Sequence, residues 1–203
     1  MLSSNSASIA AALVVLSLVQ PGYAADKFPD YPVRPAGDYA VKVEKSGLTI
    51  GVQPVEDLKE QKTYFNTELT PKGFVPVFVV IQNGSTDDSF LFDKTGVTYG
   101  PADSSVSTPK TGDKAAQVVA IGSLAALSMA GMLVAIKLAS NASKVQENVL
   151  KKELQSRTLS AGTSTHGFLY VPVPKNAPRE KIRLHVPITS ASAGETMAMD
   201  LIF

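Results

Sequence analysis

Phe74-Val75-Pro76-Val77-Phe78-Val79-Val80-Ile81-Gln82 is the stretch whose reading decides the fold. β-Branched and aromatic residues dominate it, and these pack well on a pleated surface. Its centre is apolar on both faces, as expected of a strand covered from both sides. Asn83-Gly84-Ser85-Thr86-Asp87-Asp88 follows at once and supplies strong turn chemistry.

Working outward, the neighbouring segments also read as strands. Tyr39–Val43 and Leu48–Val52 flank Glu44-Lys45-Ser46-Gly47, a hairpin signature with a glycine available for positive φ. Val55–Phe65 has the character of a short helix, and Phe90–Phe92 and Val97–Tyr99 of short strands. His166–Val173 is a strand whose Pro172 and Pro174 place its end at a sheet edge. Lys181–Pro187 alternates, with Ile182, Leu184 and Val186 inward and Lys181, Arg183 and His185 outward. Thr196–Phe203 is the last strand. The expected fold is mainly β with a helical insertion: an immunoglobulin-like antiparallel β-sandwich of about 7–8 strands. The Cys and Trp of antibody domains are absent.

Composition removes several classes of function. Net charge is +1 with 18% charged residues, and Lys and Arg are scattered among carboxylates. There is no basic stripe to hold nucleic acid. The absence of Cys excludes disulfides, thiolate nucleophiles, Cys-based zinc sites and the lipid-accepting Cys of a bacterial lipoprotein.

Residues 1–24 read as a cleavable signal peptide. No charged side chain precedes Asp26, Ile9–Val19 is an apolar run too short to span a bilayer, and Gln20-Pro21 ends it. Gly22-Tyr23-Ala24 is a small-x-small cleavage triplet, although Met1–Ser8 carries no basic side chain. Residues 25–203 then form one β-sandwich domain, exported to the periplasm or cell envelope.

A helical insertion is expected over residues 114–157. Ala115–Ile136, AAQVVAIGSLAALSMAGMLVAI, is uncharged and bounded by Lys114 and Lys137. Its length suits a transmembrane helix. Its two Gly, two Ser and Gln117 make insertion marginal. Gly122, Ala126 and Ala130 recur at four-residue spacing, with Gly131 and Ala135 repeating it alongside. On a helix they form a ridge that admits close approach of a second helix, whether from the membrane-bound chain, a second copy or an envelope partner. Leu138–Leu159 reads as an amphipathic helix, with Ala142, Val145, Val149, Leu150 and Leu154 opposite Lys144, Glu147, Lys151 and Lys152. Strand-forming sequence lies on both sides of the insertion. A single membrane crossing would separate strands that must share hydrogen bonds, so a helical hairpin is favoured, with Pro101–Asp113 as its leading loop.

FVPVFVVIQNGSTDDSFLFD and LKKELQSRTLSAGTSTHGFLYVPVP together resemble an uncharacterised group of exported bacterial envelope proteins. Those proteins carry an immunoglobulin-like, DUF4352-like sandwich interrupted by a glycine-zipper-like helix. Leu159-Ser160-Ala161-Gly162 with Gly167-Phe168 and Tyr170-Val171-Pro172 carries the resemblance most specifically; the position of Ala161 is often Pro in that group. The resemblance implies a fold and an export route, and no activity.

No catalytic, cofactor or metal site is expected. His166 and His185 are the only histidines and have no spacing to further ligands. Asn83, Asp87, Asp88 and Asp93 offer oxygens for Ca²⁺ but lack the EF-hand spacing and its bidentate Glu. Asn83-Gly84-Ser85 and Asn141-Ala142-Ser143 match the glycosylation pattern, expected here by chance. The basic face Lys144, Lys151, Lys152 and Arg157, interleaved with Glu147 and Glu153, is expected to be solvated rather than lipid-bound. The sequence therefore points to a non-enzymatic envelope protein that uses Ala115–Ile136 for membrane or self-association. The alternative is a soluble periplasmic or secreted binding module whose helix packs on its own core.

Overall fold

The computed structural model describes residues 28–102, 122–123, 142–173 and 181–203. The expected signal peptide lies outside them. So does most of the expected apolar helix, with Ala126, Ala130, Gly131 and Ala135.

The chain opens with a 3-10 turn, Ala36–Asp38, and a hairpin of β1 (Val41–Lys45) and β2 (Leu48–Pro54). Lys45 pairs with Leu48, which makes Ser46-Gly47 a two-residue turn with both φ positive, +52° and +76°. That geometry matches the right-handed twist of the flanking strands. Helix α1 (Leu58–Phe65) starts at Asp57, whose carboxylate accepts from the Glu60 amide at 2.8 Å. It ends at Asn66 in the left-handed conformation. Then come β3 (Phe74–Asn83), β4 (Phe90–Phe92), a 3-10 turn at Lys94–Gly96, β5 (Thr98–Pro101) and the two-residue β6 (Gly122–Ser123). Helix α2 (Ala142–Lys151) leads into β7 (Arg157–Leu159), β8 (Ser164–Pro172), β9 (Ile182–Ser190) and β10 (Thr196–Ile202).

Among the described residues the strands form two antiparallel sheets. The first runs β1-β2-β3-β8, and the second β6-β5-β9-β4-β7, with β10 on the other flank of β9. One core joins them: Ile50, Val77, Val79 and Leu169 of the first sheet pack with Phe92, Leu184, Val186 and Met199 of the second. The protein is therefore mainly β, as the sequence implies.

β3 is buried on both faces for two separate reasons. Val75, Val77, Val79 and Ile81 face the second sheet. Phe74, Phe78 and Val80 face outward, but there Phe65 of α1, Val145 and Val149 of α2, and the segment through Tyr31, Ala36 and Tyr39 cover them. Proline inside a central strand ordinarily costs a ladder bond. Pro76 sits just beyond the last residue of β2, where Val55 donates to its carbonyl at 2.8 Å. The return bond to the Val55 carbonyl cannot form, and the buried Gln61 amide supplies it at 2.8 Å. Pro187 in β9 is accommodated similarly. Its nitrogen points away from β10, toward the turn that separates β4 from β5, where no strand needs its donor.

Several sequence expectations are corrected. Gly122–Ser123 is extended, pairing with Tyr99 and Thr98, so the chain is not helical where the ridge was expected to begin. The amphipathic helix stops at Lys151, short of Leu159, because the chain must cross to the second sheet. Leu154 is therefore in the inter-sheet core rather than on a helical stripe, and Leu150 is exposed. Crossing over the edge of β8, Leu154 donates to the Phe168 carbonyl at 2.9 Å and the Phe168 amide donates to Lys152 at 2.8 Å. A Cβ on Gly167 would stand 2.6 Å from the Leu154 backbone, which accounts for glycine there.

Candidate functional site

The outer face of the first sheet is a closed aromatic layer. Phe168 is packed by Phe65 at 4.8 Å, Phe78 at 5.0 Å and Tyr31 at 5.3 Å between ring centroids. The Phe65 and Tyr31 contacts are edge-to-face and the Phe78 contact is tilted, and such contacts add to the burial energy of each ring. Tyr170 is fully buried and donates to the Val149 carbonyl at 2.9 Å. Burial pushes its phenol well above the ordinary tyrosine range, with the Glu153 carboxylate adding to the shift. Tyr31 is raised too, chiefly by desolvation and then by the Glu60 carboxylate it hydrogen-bonds.

Lys152 fastens the N-terminal segment to this layer. Its ammonium donates to the carbonyls of Phe28, Pro29 and Tyr64, the last at 3.1 Å. Asn148 donates to the same Tyr64 carbonyl at 2.8 Å, so two side chains near the end of α2 serve a carbonyl in the last turn of α1. Lys152, expected on a solvated basic face, is thus half-buried and structural, whereas Lys144, Lys151 and Arg157 are exposed.

Two buried amides carry most of the remaining polar order. Gln61 makes four bonds: its Nε2 reaches the Val55 carbonyl and Thr70 Oγ1, and its Oε1 accepts from the Leu69 and Thr70 amides. Asn83 donates to the carbonyls of Asp88 (2.8 Å) and Leu159 (3.1 Å) and accepts from the Ser85 amide. Asn83 is fully buried, which closes it to a glycan. Asn141 lies outside the described residues. Sequence reasoning passed over Gln61, although its place one turn before Phe65 on the buried stripe was visible.

The turn carboxylates work separately. Asp88 holds the β9–β10 turn, accepting from Ser190 Oγ at 2.6 Å and from the Ser192 amide at 3.1 Å. The Ser190 bond, with those from Ser192 and Ser89, depresses its pKa below the usual carboxylate value. Asp93 is also lowered, first by the Thr95 amide and hydroxyl. Among the described residues no group of three or more His, Asp and Glu is placed to hold a metal ion.

The outer face of the second sheet differs in kind. Thr98, His185 and Asp200 occupy one row across β5, β9 and β10. His185 Nδ1 lies 2.8 Å from Asp200 Oδ1, and the Arg183 guanidinium beside it donates to the Ala102 carbonyl at 2.5 Å. Thr189 and Thr196 share a bond at 2.9 Å in the same face. Leu91 and Ile202 stand open, 45% and 43% exposed. The row pairs a base with an acid but brings no hydroxyl within bonding distance of His185 among the described residues. Its chemistry is a cross-strand ion pair available when His185 is protonated. His166, the other histidine, is exposed at the far sheet, 5.8 Å from the Phe78 ring. The two never meet.

No family model matches the chain, and no curated protein matches it.

Proposed function

We propose that this is a non-enzymatic exported protein of the bacterial periplasm or cell envelope. It is built as an immunoglobulin-like β-sandwich whose apolar, small-residue-rich insertion mediates membrane or self-association. The immunoglobulin-like reading is supported by the way the chain changes sheets between β3 and β4, β7 and β8, and β8 and β9, as Greek-key sandwiches do. The observation that carries the association reading is the place of the insertion. β3 precedes it and pairs with β8 beyond it; β5 precedes it and pairs with β9 beyond it. The uncharged segment thus lies in sequence between strands that pair with one another in both sheets. A single crossing is incompatible with those ladders, so membrane contact takes the form of entry and return. Fractionation of the mature protein after carbonate washing tests this: association predicts a membrane-bound or oligomeric pool. A wholly soluble, monomeric protein refutes it.

One observation favours a second reading, a soluble binding module with the insertion packed on its own body. Gly122–Ser123, within the apolar stretch, is tied to β5. Replacing Ala126 and Ala130 by large residues separates the two. Internal packing predicts a global loss of about 1–3 kcal/mol. An association surface predicts lost oligomers or membrane binding with the sheets intact.

A further inference from the structure

The edges of the two sheets are guarded unequally. Exposed edges are ordinarily blunted by charge, proline, shortness or a covering segment. β1 carries Lys42, Glu44 and Lys45, all exposed. β8 is crossed by residues 152–154, and β6 and β7 span two and three residues. β10 is seven residues long and has no guarding lysine or proline of its own; β1 of the first sheet runs beside it without bonding to its backbone. Thr196-Met197-Ala198-Met199-Asp200-Leu201-Ile202 contains no proline and no lysine, and its one charge faces His185.

The ladder fixes which groups point outward. Ile182 and Phe203 exchange both backbone bonds, at 2.8 and 3.0 Å, so Met197, Met199 and Leu201 also turn their amides and carbonyls toward β9. Thr196, Ala198, Asp200 and Ile202 turn theirs to the open edge, where no backbone group of the described residues bonds them.

We propose that this edge pairs with the same edge of a second copy, antiparallel about Met199, joining two six-stranded sheets into one. This rests on β10 alone and not on the apolar insertion. The register is self-complementary. Centred on Met199, Ala198 meets Asp200 and Thr196 meets Ile202, and all four are residues whose backbone groups face outward. Met199 meets its twin and Met197 meets Leu201, continuing the apolar row of the inner face across the junction. Centring one residue later sets Asp200 against Asp200, a like-charge pair that disfavours the slip. Such an isologous contact closes on itself as a dimer.

Size-exclusion chromatography with light scattering on the mature chain tests the pairing. A dimer is expected, and Ala198→Pro should convert it to a monomer with an unchanged far-ultraviolet dichroism spectrum, because the amide removed is not used by β9. Ala198→Lys provides a second block should the proline variant fail to fold. Since the chain has no cysteine, Met199→Cys should oxidise to a covalent dimer. A monomer at every concentration overturns the proposal, as does a dimer that survives both Ala198 substitutions. A dimer dissolved only by enlarging Ala126 and Ala130 belongs to the insertion and also overturns it.

Discussion

The two outer faces of this protein solve opposite problems with the same strand chemistry. On the first sheet Phe74, Phe78, Phe168 and Tyr170 point outward and are covered by two helices and the N-terminal segment. On the second sheet Leu91, Thr189, His185, Asp200 and Ile202 point outward, and none of them is fully buried. The covered face has polar groups only where each is matched, as at Gln61 and Tyr170. The open face carries small hydroxyls and the cross-strand His185–Asp200 hydrogen bond. A sheet face therefore reveals its covering through the size of its outward residues more than through polarity alone.

The largest effect should come from breaking the covered face. Phe168 is 1% exposed at the centre of four aromatic rings. Phe168→Ala should cost about 3–5 kcal/mol through lost transfer energy and the cavity left behind. Leu91→Ala, on the open face, should stay within about 0.5 kcal/mol. Chemical denaturation of the pair measures the contrast directly; equal losses would mean that the open face is covered in solution.

Next comes the amide that replaces the missing proline bond. Gln61→Leu keeps the volume but strands the Leu69 and Thr70 amides and the Val55 carbonyl. A loss of about 2–3 kcal/mol is expected from unsatisfied buried groups. Gly167→Ala should follow at about 1–3 kcal/mol, because its Cβ meets backbone that cannot give way without moving the β8 crossing. Both are read from urea midpoints. Equivalent changes at Gly194, whose added Cβ meets nothing within 4 Å but whose φ is +67°, isolate backbone strain from crowding.

Much of this was legible in residue order. Phe74–Gln82 announced a doubly covered strand, the alternation through Lys181–Pro187 indicated the buried side of β9, and Ser46-Gly47 marked the β1–β2 turn. The covering itself was less legible. Tyr31 and Ala36 lie among prolines before the first strand, and nothing local says that they press on Phe78 and Gly51, since contacts so distant in sequence leave no periodicity. The Leu154 position misled for the same reason: helical spacing continued past Lys151, yet inter-sheet packing outweighed it. β6 was missed because Gly122–Ser123 lies in a run whose composition favours helix, while its partner Tyr99 is supplied by tertiary structure. Of the expected association face Gly122 alone is among the described residues, and it lies in a strand.

The smallest effect tests the turn that joins β9 to the open edge strand. Asp88 is held ionised by the Ser190 hydroxyl and the Ser192 and Ser89 groups, so its folded pKa lies below the unfolded value. A depressed carboxylate binds fewer protons in the folded state, and its stabilisation is present above the unfolded value. That contribution fades as pH falls from about 3.8 through the lower folded value. Asp93 behaves alike. Asp88→Asn should flatten stability against pH in that acid window while leaving neutral stability little changed, because both groups are solvent-facing and screened. Thermal melts of the two proteins between neutral and acid pH decide it. Parallel curves would show that Asp88 carries no proton-linked stability, and that the β9–β10 turn is held by Asn-compatible hydrogen bonds alone.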